Sequence, residues 1–276
     1  MTGDPRRPPY APTKCRFITA ISVVALLASG SFFGVAHSAS ATATAKHVAI
    51  FDEAHGERFL PEHDGPLDLS HFATVLEDQG FAIKAADHAI TDQVLAHVDV
   101  LLISGAFKPF TVEEVEVTTR FIERGGRLVV MLHIGPPVAD LLHHLHTSIS
   151  NGVICENENI LEGTCANFRV TRLQPHGLTK GVKEFSIFGG WALLSTGENA
   201  SVIAETSPRA WIDLNGDGKL GPGDAVQSFG VLVTGQLGRG RFVVSGDDAV
   251  FQNQFLKEGN LRLATNLAAW LAERPI

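Results

Sequence analysis

The sequence predicts an α/β domain, a mostly parallel sheet with helices on both faces, followed by a C-terminal β-hairpin. Three observations carry this. Between Lys46 and Leu132, short apolar runs alternate with segments of helical periodicity. The runs Val98–Ile103 and Arg127–Leu132 are nearly unbroken in apolar character, as strands buried on both faces must be. Glycines close the intervening helices, at Gly80 and at Gly125-Gly126.

Taken in order, Lys46–Phe51 is a strand that runs into the acidic loop Asp52-Glu53-Ala54-His55-Gly56-Glu57. Asp68 or Ser70 is placed to cap a helix bearing Phe72, Val75 and Leu76 at helical spacing, and Phe81–Ala85 is the second strand. Thr91–Val98 is predicted as a short helix leading into strand Val98–Ile103, which stops at Ser104-Gly105. Thr111 and Glu114 make a capping box ahead of Val115, Phe121 and Ile122. Strand Arg127–Leu132 exits at His133-Ile134-Gly135-Pro136-Pro137, and a helix through Leu141, Leu142 and Leu145 follows. Thr147 to about Glu184 reads as loop-rich. Short strands are expected at Asn167–Leu173, Phe185–Phe188, Ala200–Glu205 and Arg209–Ile212. Val226–Thr234 and Arg241–Ser245 form the hairpin, joined through Gly235–Gly240, and Asn260–Ala272 is a closing amphipathic helix. No repeat or linker divides residues 46–276, which are read as one domain.

Residues 1–45 are read separately, as a leader. Arg6, Arg7, Lys14 and Arg16 precede a charge-free run from Phe17 to Ala36, and the small-residue stretch after it offers Ala-x-Ala cleavage sites ending at Ala41, Ala43 or Ala45. That pattern is a secretory signal. Left uncleaved, the same run is long enough to tether the chain to a membrane. Beyond the leader, 18 basic side chains face 29 acidic ones, a net of −11 that repels phosphate backbones and argues against nucleic-acid partners. Two cysteines remain in this part, Cys155 and Cys165, and in a secreted or periplasmic setting an even pair reads as a disulfide.

The sharpest chemical pattern is Asp213-Leu-Asn-Gly-Asp-Gly-Lys-Leu-Gly-Pro-Gly-Asp224. It fits the twelve-residue calcium loop. Asp213, Asn215 and Asp217 stand at positions 1, 3 and 5, Gly218 at 6, the Lys219 carbonyl at 7 and the acidic Asp224 at 12. A hard cation needs several oxygens converging from a short loop, and alternate residues of a tight turn can supply them. The flanks Ala210-Trp-Ile and Ala225-Val-Gln are strand-like, so calcium here is expected to pin a hairpin and not to act as a helix-opening sensor.

Five stretches come in an order with a precedent: Val48-Ala-Ile-Phe-Asp-Glu-Ala-His-Gly-Glu57, Ser104-Gly105, Gly125-Gly-Arg-Leu-Val-Val-Met131, His176-Gly-Leu-Thr-Lys-Gly181 and Gly240-Arg-Phe-Val-Val-Ser-Gly-Asp247. Together they resemble the class I glutamine-amidotransferase-like superfamily. The nearer likeness is to its non-glutaminase members, such as trehalose-utilisation-type proteins and auxiliary subunits of gliding-type ABC transporters. The resemblance implies a flavodoxin-like core. It departs where an amidotransferase carries its elbow cysteine: the chain has Leu132-His133-Ile134-Gly135-Pro136 there, so glutaminase activity is not expected. No Gly-x-Ser-x-Gly elbow replaces it.

In an open parallel sheet, ligands bind beyond the carboxyl ends of the strands. The residues at those ends are Asp52, Glu53 and His55, then Ser104, His133, Asp247 and Asp248. The expectation is a secreted, calcium-binding, non-catalytic domain that takes a small polar or carbohydrate-like ligand, or a partner protein, in that crevice. The alternatives are a hydrolase using the His and carboxylate groups, and a membrane-tethered accessory subunit of a transport system.

Overall fold

A computed structural model describes residues 47–273, so the leader assigned to residues 1–45 lies outside the described residues. The chain begins with β1 (His47–Asp52), α1 (Ser70–Asp78), β2 (Phe81–Ala86), β3 (Val100–Ser104), α2 (Val112–Glu123), β4 (Arg127–Met131) and α3 (Ala139–His144). It continues through β5 (Thr147–Cys155), β6 (Ile160–Leu161), β7 (Thr164–Val170), β8 (Arg172–Leu173), β9 (Phe185–Phe188), β10 (Trp191–Ser195) and β11 (Ala200–Glu205). Then come β12 (Trp211–Ile212), β13 (Ala225–Val226), β14 (Gly230–Leu237), β15 (Gly240–Ser245) and α4 (Glu258–Ala272).

The large sheet runs β13-β12-β5-β10-β14-β15-β4-β3-β1-β2, with β11 and β8 branching from β14. Its core is the parallel set β15-β4-β3-β1-β2, in the α/β arrangement of flavodoxin-like folds. β3 and β4 are buried at every residue, which is why they read as continuous apolar runs. Side-chain alternation splits the core in two. Ala49, Phe51, Val100, Leu102, Val129 and Met131 pack toward α1 and α4. Ile50, Leu101, Ile103, Leu128 and Val130 pack toward α2 and α3.

Beyond β15 the sheet turns antiparallel, an extension wider than the hairpin expected from sequence. Thr147–Glu184 is not loop-rich: it supplies β5 to the extension and β6 and β7 to a separate three-stranded sheet with β9. β5 reads Thr-Ser-Ile-Ser-Asn-Gly-Val-Ile-Cys, and most of its residues stay at least partly exposed. Thr91–Val98 is not a helix. One i→i+4 bond forms, Leu95 amide to the Thr91 carbonyl (3.1 Å), and the next bonds shorten to i→i+3, from Ala96 to Gln93 and from Val98 to Leu95. Neither Asp68 nor Ser70 caps α1 through its side chain, whereas the Thr111–Glu114 capping box of α2 is complete. The hairpin strand β14 runs on to Leu237, leaving Gly238-Arg239 as the turn. The Asp213–Asp224 loop joins β12 to β13, a short antiparallel pair at the far edge of the sheet.

Cys155 and Cys165 are joined in a disulfide, with Cα atoms 4.6 Å apart. Among the described residues, no helix is long and apolar enough to cross a membrane.

Candidate functional site

The carboxyl ends of β1, β3, β4 and β15 lie side by side, because these four strands are neighbours in the sheet. Their polar residues form two groups and not one continuous crevice.

The first group is buried against α2. Asp52 is the last residue of β1 and follows Ile50 onto the α2 face. Its Oδ2 lies 2.6 Å from Nδ1 of His55, and its Oδ1 accepts the Ala54 amide. His55 is 4% exposed and stacks on Phe110 at 3.7 Å between ring centroids. Its other nitrogen, Nε2, faces Glu114 Oε1 at 3.3 Å. The Phe107 and Lys108 amides both donate to the His55 carbonyl, so the residue is pinned by backbone as well as side chain. Burial is the largest influence on the imidazole and pulls its pKa down. The hydrogen bond to Asp52 and the charges of Asp52 and Glu114 together outweigh it, leaving His55 raised. Glu57 completes the group: burial, then the Asp52 charge, pushes its carboxyl up to about 8.

The second group lies toward β4 and β15. His133 projects beyond β4 with its side chain 40% exposed, and Nδ1 is 3.3 Å from Oδ1 of the buried Asp248. That hydrogen bond raises the imidazole pKa, opposed by partial burial. Phe59 and Phe107 flank the ring at 5.2 and 5.4 Å, and the Arg58 guanidinium covers Phe107 at 4.5 Å. Asp248 Oδ2 has no hydrogen-bond partner, and a Cβ at Gly105 would stand 2.9 Å from it. Gly105 has φ +67°, so both its backbone and its bare Cα suit this approach. Asp247 is buried, and its two oxygens accept the Phe188 amide (2.6 Å) and the Ala249 amide (3.0 Å). Burial, and then the neighbouring Asp248 charge, pushes Asp247 up to about 8.

Two sequence-predicted residues take no part in either group. Glu53, one position past Asp52, turns toward Glu62; burial and then that neighbouring carboxylate raise its pKa. Ser104 shares the face of Val100 and Leu102, and its hydroxyl is buried with no partner among the described residues. The sequence does not single out Glu57 or Glu114 as site residues: Glu57 is one acid of an acidic loop, and Glu114 reads as the partner in the capping box.

The Asp213–Asp224 loop is distant in the sheet from both groups. Asp213 accepts the amides of Gly216 and Gly218, both at 2.7 Å. Asn215 accepts the Asp217 amide, Asp217 the Lys219 amide, and Asp224 the amides of Leu214 and Gly221. These bonds wind the loop inward and join its second position to its last. Asp213 is held below the usual carboxylate range, first by the Gly218 amide.

Residues 61–268 match the family described as Domain of unknown function (DUF4350). No curated protein sequence matches the chain. Among solved structures, the mmIFT52 N-terminal domain superposes with a TM-score of 0.67 at 19% identity, covering 83% of this chain and 99% of that one. A ThuA-like protein from Bacteroides uniformis ATCC 8492 gives 0.51 at 14% identity, covering 85% and 94%. A cytoplasmic protein from Salmonella typhimurium LT2 gives 0.52 at 13%, covering 82% and 98%. At these identities the likeness is one of fold, and the fold is ThuA-like.

Proposed function

The chain belongs to the DUF4350 family, and from that premise we propose that it is a secreted, non-catalytic binding domain. Its site is the His133 group at the ends of β4 and β15, and its ligand is small and polar, of carbohydrate type, or a polar loop of a partner protein. The observation that carries this reading is the exposed imidazole of His133, oriented from below by buried Asp248 and walled by Phe59 and Phe107. Aromatic walls suit the C–H faces of a sugar, while His133 and Arg58 offer hydrogen bonds to its hydroxyls. The strand ends offer little for covalent catalysis. Nothing nucleophilic stands at Leu132-His133-Ile134, the Ser104 hydroxyl is buried, and His55 is sealed under Phe110. The placement within the amidotransferase-like superfamily remains part of this reading, on the sequence motifs that carry it.

Calcium belongs to the same proposal, as a structural clamp on the β12–β13 turn. The support is the ligand register of Asp213, Asn215, Asp217, Lys219 and Asp224 and the inward winding of their loop. Secretion rests on the leader pattern and accords with the Cys155–Cys165 disulfide.

One observation favours hydrolysis as a second reading: His133 and Asp248 have the geometry of an oriented general base. Titration with a panel of monosaccharides and disaccharides, followed by tryptophan fluorescence in a Trp211→Phe, Trp270→Phe background that leaves Trp191, separates the two. The Trp191 indole donates to the His133 carbonyl at 3.2 Å and so reports on this site. Saturable binding that His133→Ala abolishes, with every sugar recovered intact, is the expected result. Cleavage of a glycoside that requires His133 would transfer the assignment to the hydrolase.

A further inference from the structure

The group around β1 has a composition that the ligand reading does not use. Asp52, His55 and Glu57 each offer a donor atom, and the three atoms lie within 4.8 Å of one another. Asp52 is 2% exposed and His55 4%. Both carboxylate oxygens of Glu57 are buried and have no hydrogen-bond partner. Glu114 adds a third carboxylate on the far side of the imidazole. Among the described residues, no lysine or arginine forms an ion pair with Asp52, Glu57 or Glu114, so one imidazole faces three acids. Leaving the Glu57 carboxylate without a cation or donor is costly, and a dication shared with Asp52 and His55 would satisfy it.

We propose that Asp52, His55 and Glu57 form a binding site for a first-row divalent transition ion of the zinc type. The His55 nitrogen toward Asp52, Nδ1, is the ligand atom. Nε2–H is then free to donate to Glu114, the carboxylate–histidine–metal arrangement that fixes tautomer and ring orientation. Stacking on Phe110 and the two backbone bonds to the His55 carbonyl hold the ring before any ion arrives. Gly56, at φ +79°, makes the reversal that returns Glu57 to the cluster. Three protein ligands leave a coordination position for water, and the nitrogen donor favours a zinc-like ion over calcium. The site is independent of the ligand reading at His133 and of the Asp213–Asp224 loop.

The test uses the purified protein, stripped with chelator and titrated with Zn2+ by calorimetry and with Co2+ by visible absorption. One Zn2+ equivalent should bind with ligand-field bands in the Co2+ form. Glu57→Gln should weaken binding at least about 100-fold, and Glu114→Gln about 10- to 100-fold as an outer-shell change. Asp213→Ala and His133→Ala should leave it unchanged. Glu57→Gln is isosteric and can replace a protonated acid, so it should fold. A shift of the His55 ring nitrogens in the parent on adding Zn2+ gives a reading without any variant. Zn2+ binding to Glu57→Gln within twofold of the parent, or no binding and no His55 shift in the parent, would show a shared proton only and overturn the site.

Discussion

Glu114 joins the helix-capping signal to the buried histidine, and its replacement gives the most quantitative prediction. Its Oε2 accepts the Thr111 amide at 2.9 Å and the Thr111 hydroxyl at 2.7 Å. Its Oε1 accepts the Ile90 amide at 3.2 Å and faces His55 Nε2 at 3.3 Å, and the side chain is only 8% exposed. Glu114→Ala therefore removes three hydrogen bonds at about 1 kcal/mol each and leaves a buried imidazole nitrogen unpaired for about 1–3 kcal/mol more. The expected loss is about 4–6 kcal/mol, a large share of the roughly 5–15 kcal/mol that stabilises a domain. Glu114→Gln keeps one oxygen for Thr111 and should lose about 1–2 kcal/mol. Urea unfolding in chelator measures both, provided the m-value stays constant. A Glu114→Ala midpoint within about 1 kcal/mol of the parent would refute the linkage between α2 and His55.

Three further perturbations have definite signs. If calcium binds the Asp213–Asp224 loop with a Kd near 0.1 mM, about 2 mM calcium should stabilise the protein by about 2 kcal/mol over chelator. Asp213→Ala should abolish that difference, and an undiminished shift in the variant would remove the clamp. Replacing Cys155 and Cys165 together by serine opens a loop with a sequence separation of 10, for an expected loss of about 3 kcal/mol. Melting of the reduced parent should fall to match the double variant, and equal melting of all three would contradict the estimate. Asp247, raised to about 8 in the folded chain from an ordinary 3.8, contributes stability that is full below its unfolded pKa and is lost as pH rises through the folded one. Parent stability in chelator should therefore fall between about pH 4 and pH 8, and Asp247→Asn should flatten that slope. A slope of the same size in the variant would assign the titration elsewhere.

The parallel half of the fold was legible because its strands are buried on both faces. Val100–Ile103 and Leu128–Met131 are apolar at every position, and their shortness and flanking turn residues mark them as strands. The antiparallel half was not legible. β5 keeps most of its residues partly exposed, so it can be built from serine, asparagine and glycine and looks like loop. At the site, neighbouring strand ends identified Asp52, His55, His133, Asp247 and Asp248, but the division into two groups needed the third dimension. Glu53 was separable in principle, since period-two alternation sends it away from the Asp52 face. Glu114 was not. A capping glutamate is usually at a surface, and only packing of residues 107–110 against the loop after β1 brings its second oxygen to His55.

The binding role of the His133 group is tested most directly by NMR of the histidine ring nitrogens during titration with the sugar panel. His133 should shift and saturate together with the ring protons of Phe59 and Phe107, while His55 stays fixed and the sugars remain uncleaved. Saturable shifts confined to residues outside this wall, or turnover that disappears with His133, would contradict a non-catalytic site there.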